Sequence, residues 1–152
     1  MKNMNTCLKG LVAGFLLTAG VVQGIAQAAD VAVIVNRSNP EALTVEQIKN
    51  IYSDRVTTWR SGQKIEVYNL PDNQEAREIF AQNVLGMSGQ ASAAAESQRK
   101  TNNTLKNPSK TKRERLVASI VARKRNAIGY VPAYLVEGKK GVRVVKILKE
   151  ME

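Results

Sequence analysis

LTVEQIKNIY (residues 43–52) opens the stretch that decides the fold, and four further pieces follow it in a fixed order: VTTW (56–59), IEVYNLPDNQEAREIF (65–80), VLG (84–86) and NAIGYV (126–131). In the first piece, Val45, Ile48 and Ile51 recur at the spacing of one helical face. The third piece begins as a strand, with Ile65 and Val67 as its buried positions, and continues beyond a proline into a helix. Helix and strand therefore alternate, which is typical of an α/β domain.

The same alternation extends outward from this stretch. Residues 31–36 (VAVIVN) are rich in β-branched side chains and predict a buried strand before the first helix. Residues 127–131 predict another strand, and residues 142–148 predict a last strand at an edge of the sheet. We expect a small mixed or parallel sheet flanked by helices.

Three helix starts are predicted from capping boxes, in which a residue pairs with one three positions on: Thr44 with Gln47, Asp72 with Glu75, and Thr111 with Glu114. The last box leads into a basic helix, and its apolar residues are predicted to face inward: Leu116, Val117, Ile120 and Val121.

The first 28 residues have the features of a cleavable signal peptide. Lys2 and Lys9 supply positive charge ahead of an uncharged apolar run at residues 11–22. Small residues at 26 and 28 then match a cleavage site. The apolar run is too short to span a bilayer, which takes about 20 residues. We therefore expect an exported protein with one domain over residues 29–152 and no membrane span after cleavage.

Composition excludes several kinds of chemistry. The chain has no histidine, and Cys7, its one cysteine, lies in the predicted signal peptide. Ser-His-Asp and Cys-His catalysis and the common zinc sites therefore lack their residues. No calcium-loop or phosphate-loop motif is present either. The sequence thus predicts a protein that is not an enzyme and has neither metal nor cofactor.

The chain is strongly basic, with a formal net charge of +10. Cleavage removes Lys2 and Lys9 but no acidic residue, which lowers the charge by two to +8. Many of the positive residues lie between Arg99 and Arg125, and they form either a solvated face or a polyanion site. Nucleic acid is not expected as a partner, because the protein is exported and its tyrosines are scattered.

The five pieces, in their order, resemble the periplasmic phosphate-binding proteins that feed ABC importers, a branch of the type II solute-binding fold. The resemblance covers nearly all of the predicted mature chain but only about one lobe of that two-lobed family. It implies an α/β lobe that binds phosphate or a related oxyanion and serves an ABC permease or an envelope sensor. Trp59, Gly129 and Tyr130 match landmarks of the family and are expected to have structural roles.

The resemblance also implies a site at the turn after residue 70. In the family, this turn carries a Ser-Gly-Thr triplet that grips the anion at a helix N-terminus. Aligned through Arg77, the triplet falls on Gln74–Ala76, and none of its residues is kept. Asn73, Gln74 and Arg77 are the candidate anion ligands here. Alternatively, Arg77 forms a surface ion pair with a nearby carboxylate, Asp72 or Glu75, or lies over the core as a structural residue.

A second candidate site follows the first strand, at Ser38 and Asn39. Their side chains would donate hydrogen bonds at the end of a sheet strand, where open α/β sheets bind ligands. The alternative is that they only shape a turn.

One lobe alone cannot enclose an anion, so we expect any bound oxyanion to be exposed, weakly held and sensitive to salt. A homodimer could supply a second wall. A different interpretation is a degenerate lobe that acts as a protein-interaction module in the cell envelope and has no small-molecule ligand.

Overall fold

The computed structural model describes residues 29–151, so the predicted signal peptide lies outside the described residues. Its strands are β1 (Val31–Asn36), β2 (Glu66–Asn69), β3 (Lys110–Thr111), β4 (Ala127–Pro132) and β5 (Val142–Leu148). Its α-helices are α1 (Val45–Tyr52), α2 (Glu75–Phe80), α3 (Gly89–Thr101) and α4 (Glu114–Arg123). Helix α2 continues into a π-helical turn (Ala81–Leu85), and Gly86 ends it in the left-handed conformation, with φ of 71°.

The five strands form one mixed sheet in the order β3-β2-β4-β1-β5. Strand β2 is parallel to both β3 and β4, whereas β1 is antiparallel to both of its neighbours. Strand β1 therefore runs against the other four, and its carboxyl end lies beside the amino end of β4. The predicted mixed α/β sheet flanked by helices is confirmed, with β5 at an edge.

The central strands are buried on both faces, which explains their continuous apolar sequences. Gly129 on β4 faces α4, where a β-carbon would lie 2.5 Å from Cγ1 of Val117. The next residue, Tyr130, points to the other face and stacks on Phe80 of α2. Trp59 is also buried, and its indole N–H donates to the carbonyl of Asn126. The structural roles predicted for Gly129, Tyr130 and Trp59 are confirmed.

The predicted helix starts are only partly correct. The Thr44–Gln47 box forms, with both of its hydrogen bonds present. The prediction for Asp72 is wrong because a hydrogen-bonded turn separates β2 from α2, which makes Gln74 the N-cap. The prediction for Thr111 is also wrong, because this residue pairs with β2 as part of β3.

The inward face of α4 differs from the prediction at one position. Leu116 is 45% exposed, whereas Val117, Ala118 and Val121 are buried against the sheet. Val117 and Val121 pack over Gly129 of β4, and with these two residues against the sheet Leu116 is left toward solvent. Within residues 29–151 no helix has the length and apolar character needed to cross a membrane.

Candidate functional site

A polar groove of about 340 Å³ lies where β2 ends, α2 begins and α3 passes over the turn. Its lining residues come from these three elements and from β3: Pro71, Asp72, Arg77, Ala93, Glu96, Ser97, Lys100 and Thr111. The carboxyl ends of β2 and β4 lie at the same edge of the sheet because the two strands are parallel. This edge is where open α/β sheets bind ligands.

Arg77 is the buried cation of this groove, with only 4% of its surface exposed. One terminal nitrogen donates to the carbonyl of Leu70, at 2.6 Å. The other donates to the carboxylate of Glu96 on α3, at 3.3 Å. The ionic partner of Arg77 among the described residues is thus Glu96, and not Asp72 or Glu75. Arg77 ties the end of β2 to two helices.

Glu96 collects hydrogen bonds from four side chains. Its Oε2 accepts from Asn69 at 2.9 Å and from Arg77, and its Oε1 accepts from Lys100 at 2.8 Å and from the hydroxyl of Ser109. Burial by itself raises the pKa of Glu96, but the hydrogen bonds from Lys100 and Ser109, with the nearby cations, outweigh it and hold the pKa below its ordinary value. The carboxylate is therefore ionised at neutral pH.

An aromatic layer holds Asn69 in position behind the groove. The hydroxyl of Tyr130 donates to Oδ1 of Asn69, which leaves the amide N–H₂ of Asn69 to donate to Glu96. The backbone N–H of Leu70 donates to the same tyrosine oxygen, at 3.4 Å. Burial raises the pKa of Tyr130, so the phenol keeps its proton. Asn69, one of the four donors to Glu96, is thus oriented by the core of the domain.

Asn73 and Gln74 lie in the turn that leads into α2, outside the set of residues that line the groove. The Gln74 side chain makes only a long contact with Asn73, at 3.5 Å, while the carbonyl of Gln74 accepts from the N–H of Arg77. Their role as anion ligands stays a prediction.

Ser38 and Asn39 lie at the opposite edge of the sheet, because β1 runs against the other strands. The hydroxyl of Ser38 donates to Oδ1 of Asn36, at 2.7 Å, and Oδ1 of Asn39 accepts from the N–H of Glu41. Both side chains therefore shape the turn after β1. They also border a larger groove, of about 670 Å³, lined by residues 38–42, Trp59, Arg60, Ser61, Gln63 and Arg125. The structure does not bring the two candidate sites together.

That Asn69, Glu96, Lys100 and Ser109 share one site could not be predicted from the sequence. The only local signal is the four-residue spacing from Glu96 to Lys100, which favours an ion pair on a helix. The other contacts join residues from separate elements, so no spacing rule could have found them.

The fold matches one lobe of the periplasmic binding protein class. The family model of the PBP superfamily domain matches residues 19–146, and the chain belongs to this family. That match begins inside the segment predicted as a signal peptide. A comparison with curated proteins gives no match.

Three solved structures share the fold. An ABC-type phosphate transport receptor from Vibrio cholerae has a TM-score of 0.58 at 21% identity, covering 79% of this chain and 47% of the receptor. A protein described as a phosphate ABC transporter substrate-binding protein, with bound phosphate, from Clostridium perfringens has a TM-score of 0.53 at 22% identity. This match covers 82% of this chain and 57% of that protein. A protein described as a possible phosphate binding protein from Planctomyces limnophilus has a TM-score of 0.55 at 17% identity. This match covers 79% of this chain and 42% of that protein.

At these identities the likeness establishes the fold. The chain spans about half the length of each of these proteins. The predicted resemblance to one lobe of a phosphate-binding protein is confirmed.

Proposed function

We propose that this protein is an exported solute-binding protein that binds phosphate or a related oxyanion in the Arg77 groove. The observation that carries this proposal is a buried guanidinium at the carboxyl end of β2, with the ammonium group of Lys100 beside it. Arginine and lysine are the side chains that bind oxyanions through charge-assisted hydrogen bonds. Delivery to an ABC permease or an envelope sensor is part of the same proposal, and so is a periplasmic domain over residues 29–152.

Two further points support an oxyanion as the ligand. The solved relatives are phosphate-binding proteins by name, and one holds phosphate. The groove lies at the carboxyl end of β2, at the edge of the sheet where open α/β folds bind their ligands. We propose no catalytic activity.

The charges of the groove predict weak binding. Two cations, Arg77 and Lys100, face two carboxylates, Asp72 and Glu96, so that their formal charges cancel. An anion therefore enters a site without net positive charge and remains partly exposed. We expect a Kd on the order of 1 mM, with strong dependence on salt. A second copy of the chain, placed over the groove, would bury the anion further.

Calorimetric titration of the purified protein with phosphate at fixed ionic strength, with sulfate as competitor, tests the proposal. We expect saturable binding that is weaker in Lys100→Ala, because this variant lacks one of the two cations of the groove. The side chain of Lys100 is 40% exposed, so its removal should leave the fold intact. Lys146→Ala is the matched control, since it removes the same charge from the exposed part of β5. No heat at millimolar phosphate, or equal affinity in Lys100→Ala and the wild type, would contradict it.

The second candidate function is a protein-interaction module of the cell envelope with no small-molecule ligand. It is favoured by the finding that both terminal nitrogens of Arg77 already have partners within the described residues, the carbonyl of Leu70 and the carboxylate of Glu96. This function predicts that the titration stays silent. It also predicts that charge reversal at exposed Arg115 and Arg123 on α4 disrupts association with a permease or sensor while leaving the protein folded.

A further inference from the structure

We propose that the donors around Glu96 form an oxyanion subsite that the chain fills with its own carboxylate. Glu96 is then the internal ligand of Arg77, Asn69, Lys100 and Ser109, and an external oxyanion binds by displacing it. This inference rests on the function proposed above, because it names the residues of that same groove and the group that controls access to them.

The geometry of the cluster is that of an anion-binding site. The donors come from separate elements: Asn69 from the end of β2, Arg77 from α2, Lys100 from α3, and Ser109 from the segment before β3. Two of them converge on each oxygen of the carboxylate. A carboxylate and a phosphate or sulfate are bound by the same kinds of donor, and arginine pairs with both. The cluster can therefore hold either an internal or an external anion.

Because the guanidinium of Arg77 is buried, the carboxylate of Glu96 and an external oxyanion cannot occupy the donors around it at the same time. The side chain of Glu96 is only 12% exposed and Arg77 is 4% exposed, so the guanidinium requires an anionic partner in place of the water it lost on folding. While Glu96 is in contact, the donors are engaged and a second negative charge beside it is repelled. Without Glu96, the same guanidinium would pair with an anion from solution.

The Nε of Arg77 adds a donor that the carboxylate does not use. This atom is buried and has no hydrogen-bond partner within residues 29–151. Glu96 has two oxygens, and each already accepts two hydrogen bonds. A tetrahedral oxyanion has more acceptor atoms, so it can engage donors that the carboxylate leaves unpaired.

Helix α3, which carries Glu96, contributes little apolar side chain to the core. Of its thirteen residues, only Gly89 and Ser92 are buried, and neither is a large apolar side chain. A helix with so little apolar burial moves at a low energetic cost compared with α4 or the strands. Displacement of Glu96 therefore does not require the core to open.

The test compares phosphate affinity in Glu96→Ala, Glu96→Gln and the wild type, by calorimetry at fixed ionic strength. We expect Glu96→Ala to bind at least about tenfold more tightly than the wild type, because the internal competitor is gone. Glu96→Gln should fall between them, since its amide keeps one acceptor oxygen but turns N–H₂ toward the donors. The matched control is Glu66→Ala, which removes a carboxylate that, like Glu96, pairs with two cations, here Lys110 and Lys124, but lies outside the groove.

Glu66→Ala should change the affinity by less than about twofold, although it changes the net charge equally. A second readout is the phosphate-induced rise in Tm, which should be larger in both Glu96 variants than in Glu66→Ala. The double variant Arg77→Ala/Glu96→Ala should lose the gain in affinity. Glu96→Gln nearly preserves side-chain volume, so it keeps the comparison possible if the alanine variant does not fold.

The outcomes separate this inference from the proposed function. Binding by Glu96→Ala with a silent wild type would support the subsite and overturn oxyanion binding by the native protein. Equal binding by both would support oxyanion binding and overturn the internal ligand. A folded Glu96 variant that shows neither heat nor a Tm shift with phosphate would overturn the subsite, as would an equal gain in Glu66→Ala.

Discussion

The ring of Tyr130 lies flat on the ring of Phe80, with centroids 3.9 Å apart and an angle of 4° between the planes. This stacking places the phenol oxygen at the end of β2, where it donates to Asn69 and accepts from the N–H of Leu70. The packing of the core therefore fixes Asn69, one of the four donors to Glu96. Core and candidate site are coupled through one side chain.

Tyr130→Phe should separate these two contributions. The variant keeps the stacked ring but leaves Asn69 and the Leu70 N–H without their buried partner, so we expect a loss of about 1–3 kcal/mol in the free energy of unfolding. Urea denaturation measures this loss. Tyr134→Phe removes a hydroxyl from a side chain that is 58% exposed and should leave the stability unchanged. Equal stability of Tyr130→Phe and the wild type would show that the hydrogen bonds of the phenol contribute little.

Gly129→Ala tests the close packing of α4 on the sheet. The added methyl group would lie 2.5 Å from Cγ1 of Val117, so either the helix or the valine must shift. We expect destabilisation of about 1–3 kcal/mol, measured by urea denaturation. In the double variant Gly129→Ala/Val117→Ala the clash is removed, and part of the loss caused by Gly129→Ala should be recovered. If the loss in free energy of unfolding of the double variant equals the sum of the losses in Gly129→Ala and Val117→Ala, this account is wrong.

Local features of the fold could be predicted from the sequence, but its long-range contacts could not. The capping box of Thr44 and the buried strand at residues 31–36 follow from neighbouring residues alone. The apolar pattern of residues 31–36 does not encode the direction of β1. This direction places Ser38 at the edge of the sheet opposite Arg77. The partner of Arg77 is likewise set by how α3 packs. The predicted cap at Asp72 failed because the turn after β2 is two residues longer than a direct strand-to-helix connection.

Acid should weaken the surface cluster around Glu66. The hydrogen bond from Lys124, with those from Tyr68 and Lys110, lowers the pKa of Glu66 to about 2. A depressed carboxyl pKa stabilises the fold above the unfolded value of 4.5, and this contribution is lost as the pH falls from 4.5 toward 2. Since the lysines are exposed, we expect only about 1 kcal/mol at pH 7.

The measurement for Glu66 is the free energy of unfolding against pH for Glu66→Gln and the wild type. The two curves should differ near pH 6 and meet near pH 2. Glu137→Gln makes the same charge change at an exposed position outside this cluster. A difference between the Glu66 curves that stays constant with pH would contradict the predicted linkage.

If the protein is exported as predicted, residues 1–28 should be removed as a signal peptide. When the full sequence is produced in a bacterium with a periplasm, the protein recovered from the periplasmic fraction should begin at Ala29 or Asp30. Intact mass and N-terminal sequencing measure this directly. Ala28→Lys places a long charged residue at the predicted cleavage position and should block processing. A periplasmic protein that retains Met1 would contradict the predicted cleavage.

The pair formed by Arg77 and Glu96 should show strong coupling in a double-mutant cycle. Arg77→Ala leaves a buried carboxylate with fewer donors, and Glu96→Ala leaves a buried guanidinium without an anion, so each should destabilise the fold by about 3–5 kcal/mol. The double variant removes both charges and should cost less than the sum of the single losses. Urea denaturation in phosphate-free buffer gives the cycle. Repeating it in phosphate should reduce the loss in Glu96→Ala but not in Arg77→Ala, because only the former keeps the guanidinium that an external anion can bind. Identical losses in both buffers would mean that the pair holds the fold together without any capacity to exchange Glu96 for an oxyanion.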